Sequence, residues 1–277
     1  MHMNTTHLIQ KFAPVLTASQ APVDQDPRLL MDRDGNLSIY YAPFEYVNPS
    51  ARVVLVGITP GPTQMVNANS AARTALLAGS SPEDAVGAGK ATGAFSGGVL
   101  RRNLVGQLND WGVHTWLGLS DASALFGSAG SLVQTTSLLR FPVFNAGHEY
   151  GGNPDMTRTP LLRRYLQEHF VREVEQLPNA VFLPLGPKVA KVLATLVREG
   201  LLDGNRVEAG LLHPSGNCTY RINYLLSDRQ GAIPHATNPT PYDEGRRSFR
   251  ERYLGIQAVR DAVQPDRGAG GAQRPAA

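Results

Sequence analysis

Cysteine is nearly missing from this 277-residue chain, where Cys218 stands alone. One thiol excludes an internal disulfide and any multi-cysteine metal or iron–sulfur site, and it fits a reducing compartment. Long apolar runs are missing too: none approaches the roughly 20 residues of a membrane-spanning helix. No basic segment followed by an apolar stretch opens the chain, so a cytoplasmic bacterial protein with no membrane partner is expected. The histidines never pair at metal-ligand spacing, and neither a metal nor another cofactor is expected. No G-x-S-x-G turn occurs, which makes Ser215 a poor hydrolase nucleophile. The stretch "VGAGKATG" (86–93) lacks the four-residue gap of a phosphate-binding loop, and no apolar strand precedes it. It reads as a flexible loop.

What is present suits a soluble α/β protein. Hydrophobic residues make up 42% and charged residues 18% of the chain, which is long enough for one sizeable core. A net charge of +3 permits a nucleic-acid partner without demanding one, because affinity for phosphates depends on local clustering. Arginine outnumbers lysine, notably in "LLRRYLQEHFVRE" and "EGRRSFRERYLG". Both segments also hold acids at helical spacing, so solvated faces with internal ion pairs are a simpler reading than a DNA track.

Strand and helix patterns alternate along the chain. "RVVLVGI" (52–58), "SLVQTTSLLRFPVF" (131–144), "AVFLPLG" (180–186) and "RVEAGLLHPSG" (206–216) contain β-rich runs. Helices are expected at 69–79, from Pro82 behind a Ser81 cap, through "GGVLRRNLVGQLNDWG", at 159–177, at 187–200 and at 243–255. The alternation implies a three-layer α/β/α fold around a central, mostly parallel four-stranded sheet. Residues 1–20 read as a flexible N-terminal segment, 21–261 as a single domain, and the Gly/Ala/Pro-rich 262–277 as a disordered tail.

In such sheets ligands sit at the carboxyl ends of the strands, and here Gly/Pro-punctuated turns follow them: "GITPGP", "PLGPK" and "LLHPSG". "VVLVGITPGPTQ" (53–64) poses the question most sharply, because a buried strand runs into a loop stripped of bulk. Something must approach that backbone closely, or the loop is merely a tight strand-to-helix turn. Taken bare, His213 is as readily a structural loop residue as a catalytic one, whereas the flanking Gly93, Gly97 and Gly98 argue against an ordinary core setting for Phe95.

The ordered series "GITPG", "GAFSGGVLRRNL", "TTSLLRFP", "PLGPKVAKVL" and "HPSGN" resembles the uracil-DNA glycosylase superfamily over roughly residues 50–225. The resemblance implies an enzyme that flips a nucleotide out of DNA, hydrolyses its N-glycosidic bond and leaves an abasic site. DNA is then the partner, through the flipped nucleotide, and a monomer is expected. Gly57, Pro60 and Gly61 would wall the pocket beside the anomeric carbon. His213 falls on the second-motif histidine, which donates to the leaving base. Phe95 matches the base-stacking phenylalanine. Ser215 and Gly216 would contact phosphate, and Asn217 and Cys218 fall where a wedge enters the vacated stack.

This chain departs from the pattern at two places. Several branches carry Asp or Asn at the third residue of the first motif, where Thr59 stands here; a hydroxyl can orient a water but cannot act as a base near neutrality. A substitute acid would have to come from elsewhere, and Asp121 is one candidate. The middle-strand Asn that reads uracil is replaced by Thr136 or Ser137, depending on the alignment. A hydroxyl has one rotatable donor and a shorter reach than an amide. A roomier pocket is therefore expected, suited to a modified or bulky pyrimidine, such as one in bacteriophage DNA, over plain uracil. Two rivals remain: a DNA-binding or damage-sensing module without catalysis, and a small-molecule hydrolase on the same sheet.

Overall fold

The structure, a computed structural model, describes residues 6–18 and 24–255. In chain order it contains α1 (Thr6–Ala18), β1 (Leu30–Asp34), β2 (Leu37–Tyr40), β3 (Val53–Gly57), α2 (Pro62–Leu77) and α3 (Pro82–Gly93). Then come α4 (Gly98–Trp111), α5 (Val113–Trp116), β4 (Val133–Ser137), β5 (Val143–Asn145) and β6 (His148–Glu149). α6 (Pro160–Tyr165) runs through a π turn (Leu166–Val171) into α7 (Arg172–Gln176). β7 (Val181–Pro184), α8 (Pro187–Arg198), α9 (Thr219–Leu226) and α10 (Thr240–Leu254) complete the chain.

β3 is the centre of a parallel sheet of order β4-β3-β7. All five of its residues are buried, as a parallel strand covered on both faces requires. Alternation sends Val54 and Val56 into one core with Met65, Ala68, Phe182 and Leu193. Val53 and Leu55 enter a second core with Leu104, Leu108, Trp111, Tyr242 and Phe249. Both faces are thus covered by helices. A separate antiparallel sheet, β1-β2-β5-β6, lies beside this body; its strands are too short to show a clear alternation in sequence.

Several expectations need correction. The parallel sheet has three strands, not four. The segment expected as the fourth contributes one parallel bridge, Phe182 to Val207, and backbone bonds from Glu208 N to Phe182 O (3.0 Å) and Gly186 N to Leu211 O (2.9 Å). Between them Gly210 has φ +136°, and a β-carbon there would stand 2.3 Å from the Pro241 carbonyl oxygen, so the start of α10 breaks the ladder. Residues 6–18, expected to be flexible, form α1, with Ile9, Phe12 and Leu16 buried and Phe12 stacked on Tyr41 at 4.5 Å. Residues 86–93, read as a loop, belong to α3. A β-carbon at Gly93 would stand 2.6 Å from Ala68 Cβ, so its glycine lets α3 lie close against α2. The proposed tail, 262–277, lies outside the described residues.

The arginine-rich helices carry ion pairs, including Arg163 with Glu199, Arg164 with Asp32, Arg246 with Asp110 and Arg252 with Glu208. None of these arginines faces the cavity described next.

Candidate functional site

Parallel register sets the site. Val56 pairs with Thr136 and with Pro184, and Gly57 with Ser137, so the loops leaving β3, β4 and β7 start from one edge. With the loop before α4 and residues 212–218 they enclose a cavity of about 930 Å³. Gly57, Thr59, Pro60, Gly61, Phe95, Thr136, Ser137, His213, Ser215, Gly216, Asn217 and Cys218 all line it.

The first loop is stripped of bulk for a measurable reason. A β-carbon at Gly57 would lie 3.2 Å from Ser137 Oγ and 3.6 Å from the Phe95 ring. Phe95 belongs to the second core, and its remaining surface faces the cavity. Its backbone has φ +48°, a left-handed conformation that costs a bulky residue about 1–3 kcal/mol. The surrounding Gly-rich turn holds it there. Pro62, expected within a non-helical loop, is instead the first residue of α2, where its missing N–H costs nothing.

Thr59 is occupied. Its hydroxyl donates to Phe141 O (2.9 Å) and accepts from Val143 N (3.1 Å), tying the first loop to the start of β5. Its one proton is not available to a water.

The His213 segment hangs from α4. Gln107 Nε2 donates to Leu212 O (3.2 Å), and Gln107 Oε1 accepts from Leu212 N (2.8 Å). One turn earlier, Asn103 Nδ2 donates to Pro214 O (3.1 Å) and to Thr219 Oγ1 (2.8 Å). Both amides are buried. Sequence reasoning missed them, although two amides at i and i+4 beside the Leu100–Leu104–Leu108 stripe were a signal. The imidazole of His213 makes no hydrogen bond to the described residues. Burial lowers its pKa, which favours the neutral ring.

The middle strand separates its two hydroxyls. Thr136 Oγ1 donates to buried Glu173 (2.9 Å), while the Ser137 hydroxyl makes no hydrogen bond to the described residues and faces the cavity free. Glu173 also pairs with Arg140 (2.7 Å), which lines the cavity, and accepts from Gln134. Burial opposes ionisation of Glu173, but Arg140, Lys90 and these hydrogen bonds together hold its pKa low. Behind them Lys90 donates to Tyr46 O, and Tyr41 donates to Glu45 (2.9 Å). Burial pushes Glu45 up to about 7 and Lys90 down to about 8. A charged cluster therefore underlies the cavity.

Asp121 does not reach the site. It caps a 3-10 turn, accepting from Ser123 N (2.8 Å) and from Asn109 Nδ2 (2.5 Å), and it does not line the cavity. The carboxylate that does is Glu149, which no motif marked. At the rim, Lys188 Nζ donates to Gly151 O (2.6 Å), and Arg221 reaches Cys218 Sγ (3.1 Å). Among the described residues, no group of three or more His, Cys, Asp or Glu side chains is placed to hold a metal ion.

Comparison with known proteins gives no matching family model and no matching solved structure. The chain is 33% identical over 203 residues to the uncharacterized protein YoxB of Bacillus subtilis (strain 168), a stretch spanning 72% of this chain and 79% of that protein. At that identity and coverage, the chain belongs to the same family as YoxB.

Proposed function

We propose that this protein is a monofunctional DNA glycosylase on a uracil-DNA glycosylase-like fold. One observation carries the reading: the turns bearing Thr59, Phe95 and His213, distant in sequence, meet in one cavity of about 930 Å³ at the strand ends. Three side chains facing separate regions would have ended it.

In this reading the flipped base lies against Phe95, with Ser137 and Arg140 at its polar edge. Neutral His213 donates an N–H to the base oxygen on which charge builds as the glycosidic bond breaks; such a donor is worth ~2.7–4 kcal/mol in the transition state. Ser215 and the backbone at Gly216 contact phosphate, Lys188 and Arg221 add positive charge at the rim, and Asn217 and Cys218 border the vacated stack. With Thr136 tied to Glu173, the base edge meets donors and no fixed amide. That favours a modified or bulky pyrimidine over plain uracil.

The test measures bases freed, by mass spectrometry, from oligonucleotides containing uracil or 5-substituted pyrimidines and from genomic DNA of modified bacteriophages. Release of a modified pyrimidine, lost in His213→Ala, supports the reading; exclusive and efficient uracil release discards the specificity. A second reading, a DNA-binding module without catalysis, is favoured by the engaged hydroxyl of Thr59. It predicts protection of DNA with no alkali-labile sites formed.

A further inference from the structure

We propose that Glu149 is the catalytic carboxylate of this cavity, and that the first loop positions it instead of supplying an acid of its own. The inference rests on the glycosylase reading. Among the described residues, Glu149 is the one Asp or Glu that lines the cavity. It sits on β6, paired with Phe144 of β5, outside every segment that the sequence marks as functional.

Two features of "GITPG" acquire a purpose on this view. Gly61 leaves an empty place, where a β-carbon would stand 2.8 Å from Glu149 Oε1 and 3.3 Å from its Cδ. The carboxylate therefore lies against the first loop, beside the N-terminus of α2, whose partial positive charge favours an anion. Thr59 is the second feature. By bonding Phe141 O and Val143 N it fixes the start of β5, and β5 carries β6. The loop that lacks a carboxylate thus pins the hairpin that brings one.

The Glu149 carboxylate makes no hydrogen bond or ion pair to the described residues; the residue is exposed on β6, and partial desolvation where it faces the cavity raises its pKa. An unpaired carboxylate in a cavity that also holds His213 suits two tasks. It stabilises the positive charge that grows on the sugar, and it takes a proton from the attacking water. In the step, the water oxygen bonds C1′ as the bond from C1′ to the base nitrogen breaks. The bonding pair leaves with the base, whose oxygen accepts the His213 hydrogen bond. The water proton passes to Glu149 and later to the released base.

The test uses duplexes in which one nucleotide is a cationic pyrrolidine or a neutral tetrahydrofuran abasic analogue. Wild type is expected to bind the pyrrolidine duplex at least tenfold more tightly, and Glu149→Gln to bring the ratio near one. Base release by Glu149→Gln should fall roughly 10²–10⁴-fold, the usual range for a general base, and Glu149→Asp should restore part of both. Gly61→Ala, which displaces only the end of a flexible side chain, should lower the pyrrolidine preference while melting like wild type. Equal binding of the two analogues by wild type, or an unchanged preference in Glu149→Gln, overturns the assignment while base release by wild type still upholds the glycosylase reading. Absence of base release from every substrate overturns both.

Discussion

Replacing Gln107 by Leu should loosen the His213 segment without disturbing the sheet. The substitution replaces a buried amide with an apolar side chain of similar volume beside Leu104 and Leu108 of the second core, and it removes both bonds to Leu212, at 2.8 and 3.2 Å. Each bond nets about 1 kcal/mol, and a buried group left without a partner costs about 1–3 kcal/mol. Leu212 is only half-buried, so water reaches part of its backbone, and the expected loss is about 2–3 kcal/mol. Urea denaturation reads the global part. Amide exchange at Leu212 reads the local part, and the same free energy corresponds to roughly 30- to 150-fold faster exchange. On the glycosylase reading, base release should fall in kcat more than in DNA affinity, since the proposed donor His213 is misplaced while Lys188 and Arg221 at the rim are untouched. A stability loss under about 0.5 kcal/mol with unchanged Leu212 exchange would refute the reasoning.

Further outcomes follow from the buried charges and the close approaches. Arg140→Met removes the ion-pair partner of Glu173 in the interior and should cost about 3–5 kcal/mol by urea denaturation; adding Glu173→Gln should recover part of that loss. Glu45 has its pKa raised to about 7, so the folded state holds its proton more tightly than the unfolded chain does. Its contribution to stability is therefore largest below the ordinary carboxylate pKa and is lost as pH rises towards 7. His169, lowered to about 4, acts oppositely: its contribution is lost as pH falls below the ordinary histidine range. The stability of Glu45→Gln relative to wild type should thus grow between pH 4.5 and 7, and a flat difference would count against burial as the cause. Gly57→Ala forces a β-carbon to within 3.2 Å of Ser137 Oγ; overpacking of this kind costs about 1–3 kcal/mol, seen as a lower melting temperature with base release reduced further.

How legible the molecule is in its sequence can be judged from particular elements. β3 was plain, because a strand buried on both faces reads as an unbroken apolar run. α4 was plain through Leu100, Leu104, Leu108 and the closing Gly112, which takes φ +81°. α1 was missed although Ile9, Phe12 and Leu16 share one face, since Pro14 interrupts the segment. The glycines of 86–93 look like punctuation in sequence, and only the nearness of α2 shows them to be packing residues. In the site, loops rich in Gly and Pro announced themselves by what they lacked. Glu149 did not, because a two-residue strand has no periodicity, and its nearness to Gly61 is a tertiary fact. The duties of Thr59 and Thr136 were likewise invisible, for a hydroxyl shows its partner only when the backbone around it is known.

α4 has a consequence for which substrates can enter. The turn at its N-terminus carries Phe95, its flank grips the segment of His213 through Asn103 and Gln107, and its far end is wedged by Trp111 against Tyr242 and Phe249. One stiff rod thus acts as a ruler, setting the spacing between the aromatic face and the imidazole. The other jaw is the β5–β6 hairpin, pinned at Thr59. On the glycosylase reading a thicker base has to be accommodated there, so relatives that take different bases should differ along residues 141–151 while leaving the rod alone.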